Sequence, residues 1–96
     1  MPEYILFMHD DVVADDPHAW ASYLWKLKGM GVFEGGSEIG DGGCFRKRGA
    51  PPQITTHLSG YIRVNVPTID DVRSLLNDNP HYQAGGTVEI RELPKS

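Results

Sequence analysis

A chain with a single cysteine, Cys44, cannot close a disulfide on itself, which points to a reducing compartment rather than a secreted, cross-linked scaffold. Arg46, Lys47 and Arg48 stand close by in sequence, but a lone strand cysteine reads first as a small buried hydrophobe. Long apolar runs are missing as well. The longest, Tyr4-Ile5-Leu6-Phe7-Met8, is far too short to cross a bilayer, and Met1-Pro2-Glu3-Tyr4 does not open a signal peptide. Positive charge is scarce: 9 Lys and Arg against 13 Asp and Glu leave a net charge of -4. Arg46-Lys47-Arg48 is the one basic cluster, too small for the concentrated surface that phosphate backbones demand, so nucleic acid is not expected as a partner. The glycines between Gly35 and Gly43 contain no G-K-[ST], and no G-x-S-x-G, H-x-x-x-H or H-E-x-x-H occurs. Nucleotide cradles, serine-hydrolase elbows and zinc helices therefore lack their signatures, and neither a metal nor a cofactor is expected. The default is a soluble cytoplasmic protein.

What is present is enough for one core. The 96 residues are 40% hydrophobic and 23% charged, the balance of a single globular domain spanning residues 1–96. Tyr4-Ile5-Leu6-Phe7-Met8 has the continuous apolar character of a central strand buried on both sides. Asp16-Pro17 then starts a helix, because the carboxylate accepts from first-turn amides and Pro at the first position gives up no hydrogen bond. Trp20, Leu24, Leu27 and Gly31, flanked by Tyr23 and Met30, form its apolar stripe; Gly29 or Gly31 ends it, and Trp25 falls on another side. Val32-Phe33-Glu34 opens a second strand. Gly40-Asp41-Gly42-Gly43 reads as a hairpin turn with residues 44–48 as the returning strand, before Ala50-Pro51-Pro52 interrupts.

Tyr61-Ile62-Arg63-Val64-Asn65-Val66 alternates cleanly, Ile62, Val64 and Val66 on one side and Tyr61, Arg63 and Asn65 on the other. Thr68-Ile69-Asp70-Asp71 has capping-box spacing with Asp in place of Glu, and Ile69, Val72, Leu75 and Leu76 stripe the helix that follows. Residues 77–80 end it. Thr87-Val88-Glu89-Ile90-Arg91 alternates again. The order β-α-β-β-α-β, with an inserted hairpin, is the ferredoxin-like α+β arrangement: an antiparallel sheet covered on one face by two helices. The uncovered face would carry Tyr61, Arg63, Asn65, Thr87, Glu89 and Arg91. On so small a domain, a second copy docking there would supply buried area, so a homodimer with a concave gap beside the helices is expected.

Four histidines are the groups that titrate near neutrality. His18, in the first turn of the first helix, sits at the positive end of the helix dipole, which favours the neutral ring that a general base needs. His9, Asp10 and Asp11, joined by His18 or by Asp15 and Asp16, form an acidic group without the spacing of a known metal motif. His57 stands before the alternating strand, and His81 follows Pro80.

The N-terminal strand, the helix start Pro17-His18 and the ending Asn79-Pro80-His81-Tyr82-Gln83-Ala84-Gly85-Gly86-Thr87-Val88-Glu89-Ile90-Arg91 together resemble the YCII-related (DGPF-domain) proteins over nearly the whole chain. The resemblance implies a ferredoxin-like fold that dimerises into an α+β barrel, in a superfamily holding small isomerases, dehalogenating enzymes and cofactor-free oxygenases. Some members pair a first-helix histidine with an aspartate just before a proline after the second helix. His18 matches the histidine; the aspartate position falls on Asn79, which cannot ionise, with Asp78 one residue upstream. The expected function is a small-molecule enzyme in which His18 moves a proton, assisted by Asp78 or Asn79. Ser37, Tyr61, Arg63, Asn79 and His81 would bind the substrate. The alternative is a non-catalytic binding domain of the same fold.

Overall fold

The computed structural model of the chain describes residues 2–12 and 16–94. Four strands, β1 (Glu3–His9), β2 (Phe33–Glu38), β3 (Leu58–Asn65) and β4 (Val88–Leu93), make one antiparallel sheet in the order β2-β3-β1-β4. Helix α1 (Pro17–Gly29) joins β1 to β2. Helix α2 (Ile69–Leu75), a 3-10 turn (Leu76–Asp78) and a short helix α3 (Pro80–Gln83) join β3 to β4. This is the ferredoxin-like order read from the sequence.

The helices pack on one face of the sheet and the core lies between. Tyr4, Leu6 and Met8 of β1 and Ile62 and Val64 of β3 meet Tyr23 and Leu27 of α1 and Val72 and Leu75 of α2. Leu6, Leu27, Val64 and Val72 are fully buried, each worth roughly 1.5–3 kcal/mol of transfer free energy. The Tyr23 hydroxyl crosses the core to donate to the Leu75 carbonyl at 2.9 Å, locking α1 to the end of α2. Burial pushes that phenol up to about 12, with the Asn79 side chain opposing the rise.

Helix starts follow the side-chain chemistry. Asp16 caps α1 by accepting from the His18 amide at 2.9 Å, ahead of Pro17 at the first helical position. The Thr68–Asp71 capping box closes in both directions: Thr68 Oγ1 accepts from the Asp71 amide, and Asp71 Oδ2 accepts from the Thr68 amide at 3.0 Å. Asn79 then caps α3, an element that residues 77–80, read as a helix end, did not announce.

Four expectations need correction. No strand forms at residues 44–48; residues 39–57 run without helix or strand, and Phe45 is 94% exposed. With no apolar alternation, this Gly- and Pro-rich segment has nothing to hold it to a sheet edge, and Cys44 is only half-buried. The Cα radius of gyration is accordingly 14.8 Å, against about 12.5 Å for a compact chain of this length. Strand β1 is central, but only Tyr4, Leu6 and Met8 are buried; Ile5 and Phe7 are half-buried, because a single chain offers that face no second layer. Ile69 of the second stripe is 48% exposed, since it occupies the first turn of α2 at the rim. Thr87 precedes β4 instead of lying on it, and donates to Asp11.

Candidate functional site

The register sorts the sheet into two surfaces. Leu6 is paired with Ile62 and Ile90 on the helix face, while Ile5 is paired with Arg63 and Arg91, and Phe7 with Tyr61 and Glu89, on the open face. On the helix side a cavity of about 510 Å³ opens between the first half of α1 and the β1-β3-β2 part of the sheet. Met8, Trp20, Leu24, Phe33 and Ile62 give it apolar walls; Asp10, Glu38, Ser59 and His81 bring polar groups, with Val12 and Pro17 at the end beyond β1.

The cavity exists because side chains are missing beneath α1. Gly36 and Gly60 line it and leave the sheet surface bare. Gly36 is required by the close approach of β2 to β3: a Cβ there would meet the Tyr61 carbonyl oxygen at 2.5 Å. Trp20 and Leu24 are thereby only partly buried, although they belong to the stripe that plants α1 on the core.

His81 is the buried titratable side chain of the site, 3% exposed. Its Nε2 lies 3.2 Å from Asp11 Oδ1. Asp11 in turn accepts from the Thr87 amide at 3.0 Å and from the Thr87 hydroxyl at 2.6 Å. These Thr87 donors, the hydroxyl first, hold the Asp11 carboxyl below its ordinary pKa and so keep it charged. Gly86 makes the room: a Cβ there would collide with the Nε2–Cδ2 edge of the His81 ring and with Val12.

The expected site residues separate. Ser37, Tyr61 and His81 reach the cavity, Tyr61 from a strand position whose alternation faces it away from Ile62, and Ser37 with its hydroxyl donated to the Glu38 carbonyl at 2.9 Å. Arg63 lies on the open face, its Nη1 3.1 Å from Glu3 and its Nη2 donating to the Glu34 carbonyl at 2.7 Å. Asp78 is exposed and pairs with Lys26. Asn79 is wholly buried; its Oδ1 accepts from the Tyr82 amide at 3.0 Å, and its Nδ2 has no partner among the described residues. His18 is exposed at the start of α1, and neither it nor Asp78 or Asn79 lines the cavity of the single chain.

Sequence reasoning missed the link from His81 through Asp11 to Thr87. Nothing local in the sequence signalled it, because it depends on how the neighbouring strands pair. Met8 opposite Val88 sets Thr87 beside His9, with the His9 amide donating to the Thr87 carbonyl at 3.0 Å, and Asp11 follows directly. His9 itself turns to the open face, 2.9 Å from Glu89 and edge-on to His57 with ring centroids 4.9 Å apart. The His9 contact holds Glu89 below the usual carboxylate range. Among the described residues no group of three or more His, Cys, Asp or Glu could hold a metal ion; Asp15 lies outside them. No helix among them is long and apolar enough to cross a membrane.

No family model matches the chain, and no curated protein sequence does. Its architecture is similar to that of 5-chloro-2-hydroxyhydroquinone dehydrochlorinase from Burkholderia phenoliruptrix AC1100, solved with 2,5-dihydroxybenzoquinone. The two share 13% identity at a TM-score of 0.56, over 98% of this chain and 95% of that one. At that identity the likeness establishes the shared α+β fold.

Proposed function

We propose that the chain is a YCII-related small-molecule enzyme that works as a homodimer and performs acid–base chemistry without a cofactor. The observation that carries this reading is the cavity: about 510 Å³, with aromatic and aliphatic walls and a few polar groups that include a buried histidine. That is the usual form of a site that holds a small organic ligand in one orientation. Trp20 and Phe33 suit a flat ring, and Ser59 and His81 suit hydroxyl or carbonyl substituents on it. The similarly folded dehydrochlorinase is a complex with such a ring, 2,5-dihydroxybenzoquinone, which makes hydroxylated quinones and chlorinated hydroquinones the compounds to test first.

The open face supports the dimer. Ile5, Phe7 and Tyr61 lie together on it, half-buried, with Arg63 and Arg91 beside them. Sedimentation at micromolar concentration should give twice 10.7 kDa; a species of 10.7 kDa would remove this part of the proposal. His18 adjoins Pro17, which lines the cavity, and the family resemblance implies for it a proton-transfer role assisted by Asp78 or Asn79. His18→Ala should lower turnover of an identified substrate by on the order of 10²-fold with folding intact. Unchanged turnover would take that role from it.

A non-catalytic binding domain is the second reading, favoured by Asn79, whose side chain is committed to capping α3. It would be marked by saturable binding of a quinone with no product after prolonged incubation.

A further inference from the structure

Acid–base chemistry needs a group inside the cavity that can take a proton, and the family resemblance assigns none there. We infer that His81 is that group, acting through Nδ1, and that Asp11 is the positioning residue that makes Nδ1 the basic nitrogen. The inference rests on the cavity being a ligand site.

A neutral imidazole has one nitrogen that donates and one that accepts, and the partner of the first decides which is which. Asp11 is hydrogen-bonded twice by Thr87 and its carboxylate is kept charged, so it can only accept from His81 Nε2. The proton of the neutral ring is therefore held on Nε2, and the lone pair is left on Nδ1. Among the described residues Nδ1 has no hydrogen-bond partner of its own. The ring is fixed rather than free to rotate: it is almost wholly buried, and Gly86 packs its bare Cα against the Nε2–Cδ2 edge.

The step this arrangement favours is a simple one. A ligand O–H, or a C–H next to a ring carbonyl, gives its proton to Nδ1, and the bonding pair stays on the ligand as a phenolate or enolate. The imidazolium then carries its charge against the Asp11 carboxylate, and the proton returns to the ligand at another atom or passes to water. The substrate class is accordingly a small, largely apolar ring bearing a weakly acidic O–H or C–H. No oxidant or metal enters the balance.

The arrangement can be tested without knowing the substrate. In the full chain labelled with ¹⁵N-histidine, His81 should show the Nε2–H tautomer when neutral. In Asp11→Asn the amide can donate to Nε2 in place of accepting from it, so a folded variant should show the Nδ1–H tautomer instead. The reversal reports the hydrogen bond that fixes the tautomer, and the response of Nδ1 to a ligand separates a base from a merely structural contact. Addition of 4-nitrophenol, a small ring with an acidic hydroxyl, should move the Trp20 indole signal and the His81 Nδ1 signal together. If Trp20 responds and Nδ1 does not, the cavity binds ligands but His81 is not the base. Silence at both sinks the cavity reading and this inference with it. An Nδ1–H tautomer in the unaltered chain overturns the inference whatever binds. Where Asp11→Asn fails to fold, Asp11→Ala serves in its place: with no carboxylate left to accept from Nε2, the excess of the Nε2–H form should disappear.

Discussion

Gly86→Ala is the substitution through which packing and chemistry can be read together. A Cβ at this position would stand 2.5 Å from His81 Cδ2, and also inside contact distance of His81 Nε2 and of Val12. Ordinary carbon contacts lie near 3.5–4.0 Å, so the imidazole and the valine must each give way by about 1 Å. The backbone of Gly86 is not left-handed, so the whole penalty arises from these neighbours. Overpacking of this kind costs about 1–3 kcal/mol. A ring displaced so far also loses its 3.2 Å contact with Asp11, although water can replace that contact at the half-exposed carboxylate. The expected destabilisation is about 2 kcal/mol in urea unfolding followed by the fluorescence of Trp20 and Trp25. The decisive comparison is a cycle with His81→Ala. Removing the ring frees most of the space, so Gly86→Ala should cost about 1 kcal/mol less in that background, with only the Val12 clash remaining. Two effects that add to within about 0.5 kcal/mol would refute the idea that Gly86 exists to seat His81. Gly85→Ala is the control. Gly85 is left-handed (φ 91°), so its substitution should cost about 1–2 kcal/mol through the backbone and leave the coupling to His81 absent.

Tyr23→Phe leaves the buried Leu75 carbonyl without its donor and should cost about 1–3 kcal/mol near neutral pH, measured by the same urea titration. Because burial raises this phenol from 10.0 to about 12, the unfolded chain ionises first in alkali. The stability tied to the protonated phenol is whole below pH 10 and is lost as the pH climbs toward 12. The phenylalanine variant should lack that part of the alkaline decline. Asp11 has the opposite sign: its carboxyl is depressed below 3.8, so its contribution is present above that pH and lost as the pH falls through the lower folded value. Asp11→Asn should flatten the acid limb of a stability–pH curve, and an unaltered limb would show that the Thr87 contacts do not persist in solution. Leu6→Ala empties a fully buried position in the middle of β1 and should cost about 2–5 kcal/mol in the urea midpoint.

The sequence by itself determined the elements that depend on local chemistry. Asp16-Pro17 and Thr68-x-x-Asp71 start helices because side-chain oxygens meet free amides within the same turn. The alternation of Ile62 and Val64 with Tyr61 and Arg63 chose the buried face of β3, because side chains on a strand point to opposite faces in turn. That alternation, with the order of elements, was enough for the ferredoxin-like sheet and its open face.

Tertiary structure alone decided the cavity and its contents. Trp20 and Leu24 read as core, and became walls only because Gly36 and Gly60 leave the sheet bare opposite them. His81 reads as a substrate-binding residue without a partner; the pairing of β1 with β4 put Asp11, distant in sequence, against it. His18, Asp78 and Asn79 share a pattern in the sequence, yet they end in solvent, on Lys26 and in a helix cap. The physical reason is common to all of these. Capping and alternation act over a few residues, whereas a pocket is the space left by residues that meet only after the chain has closed on itself.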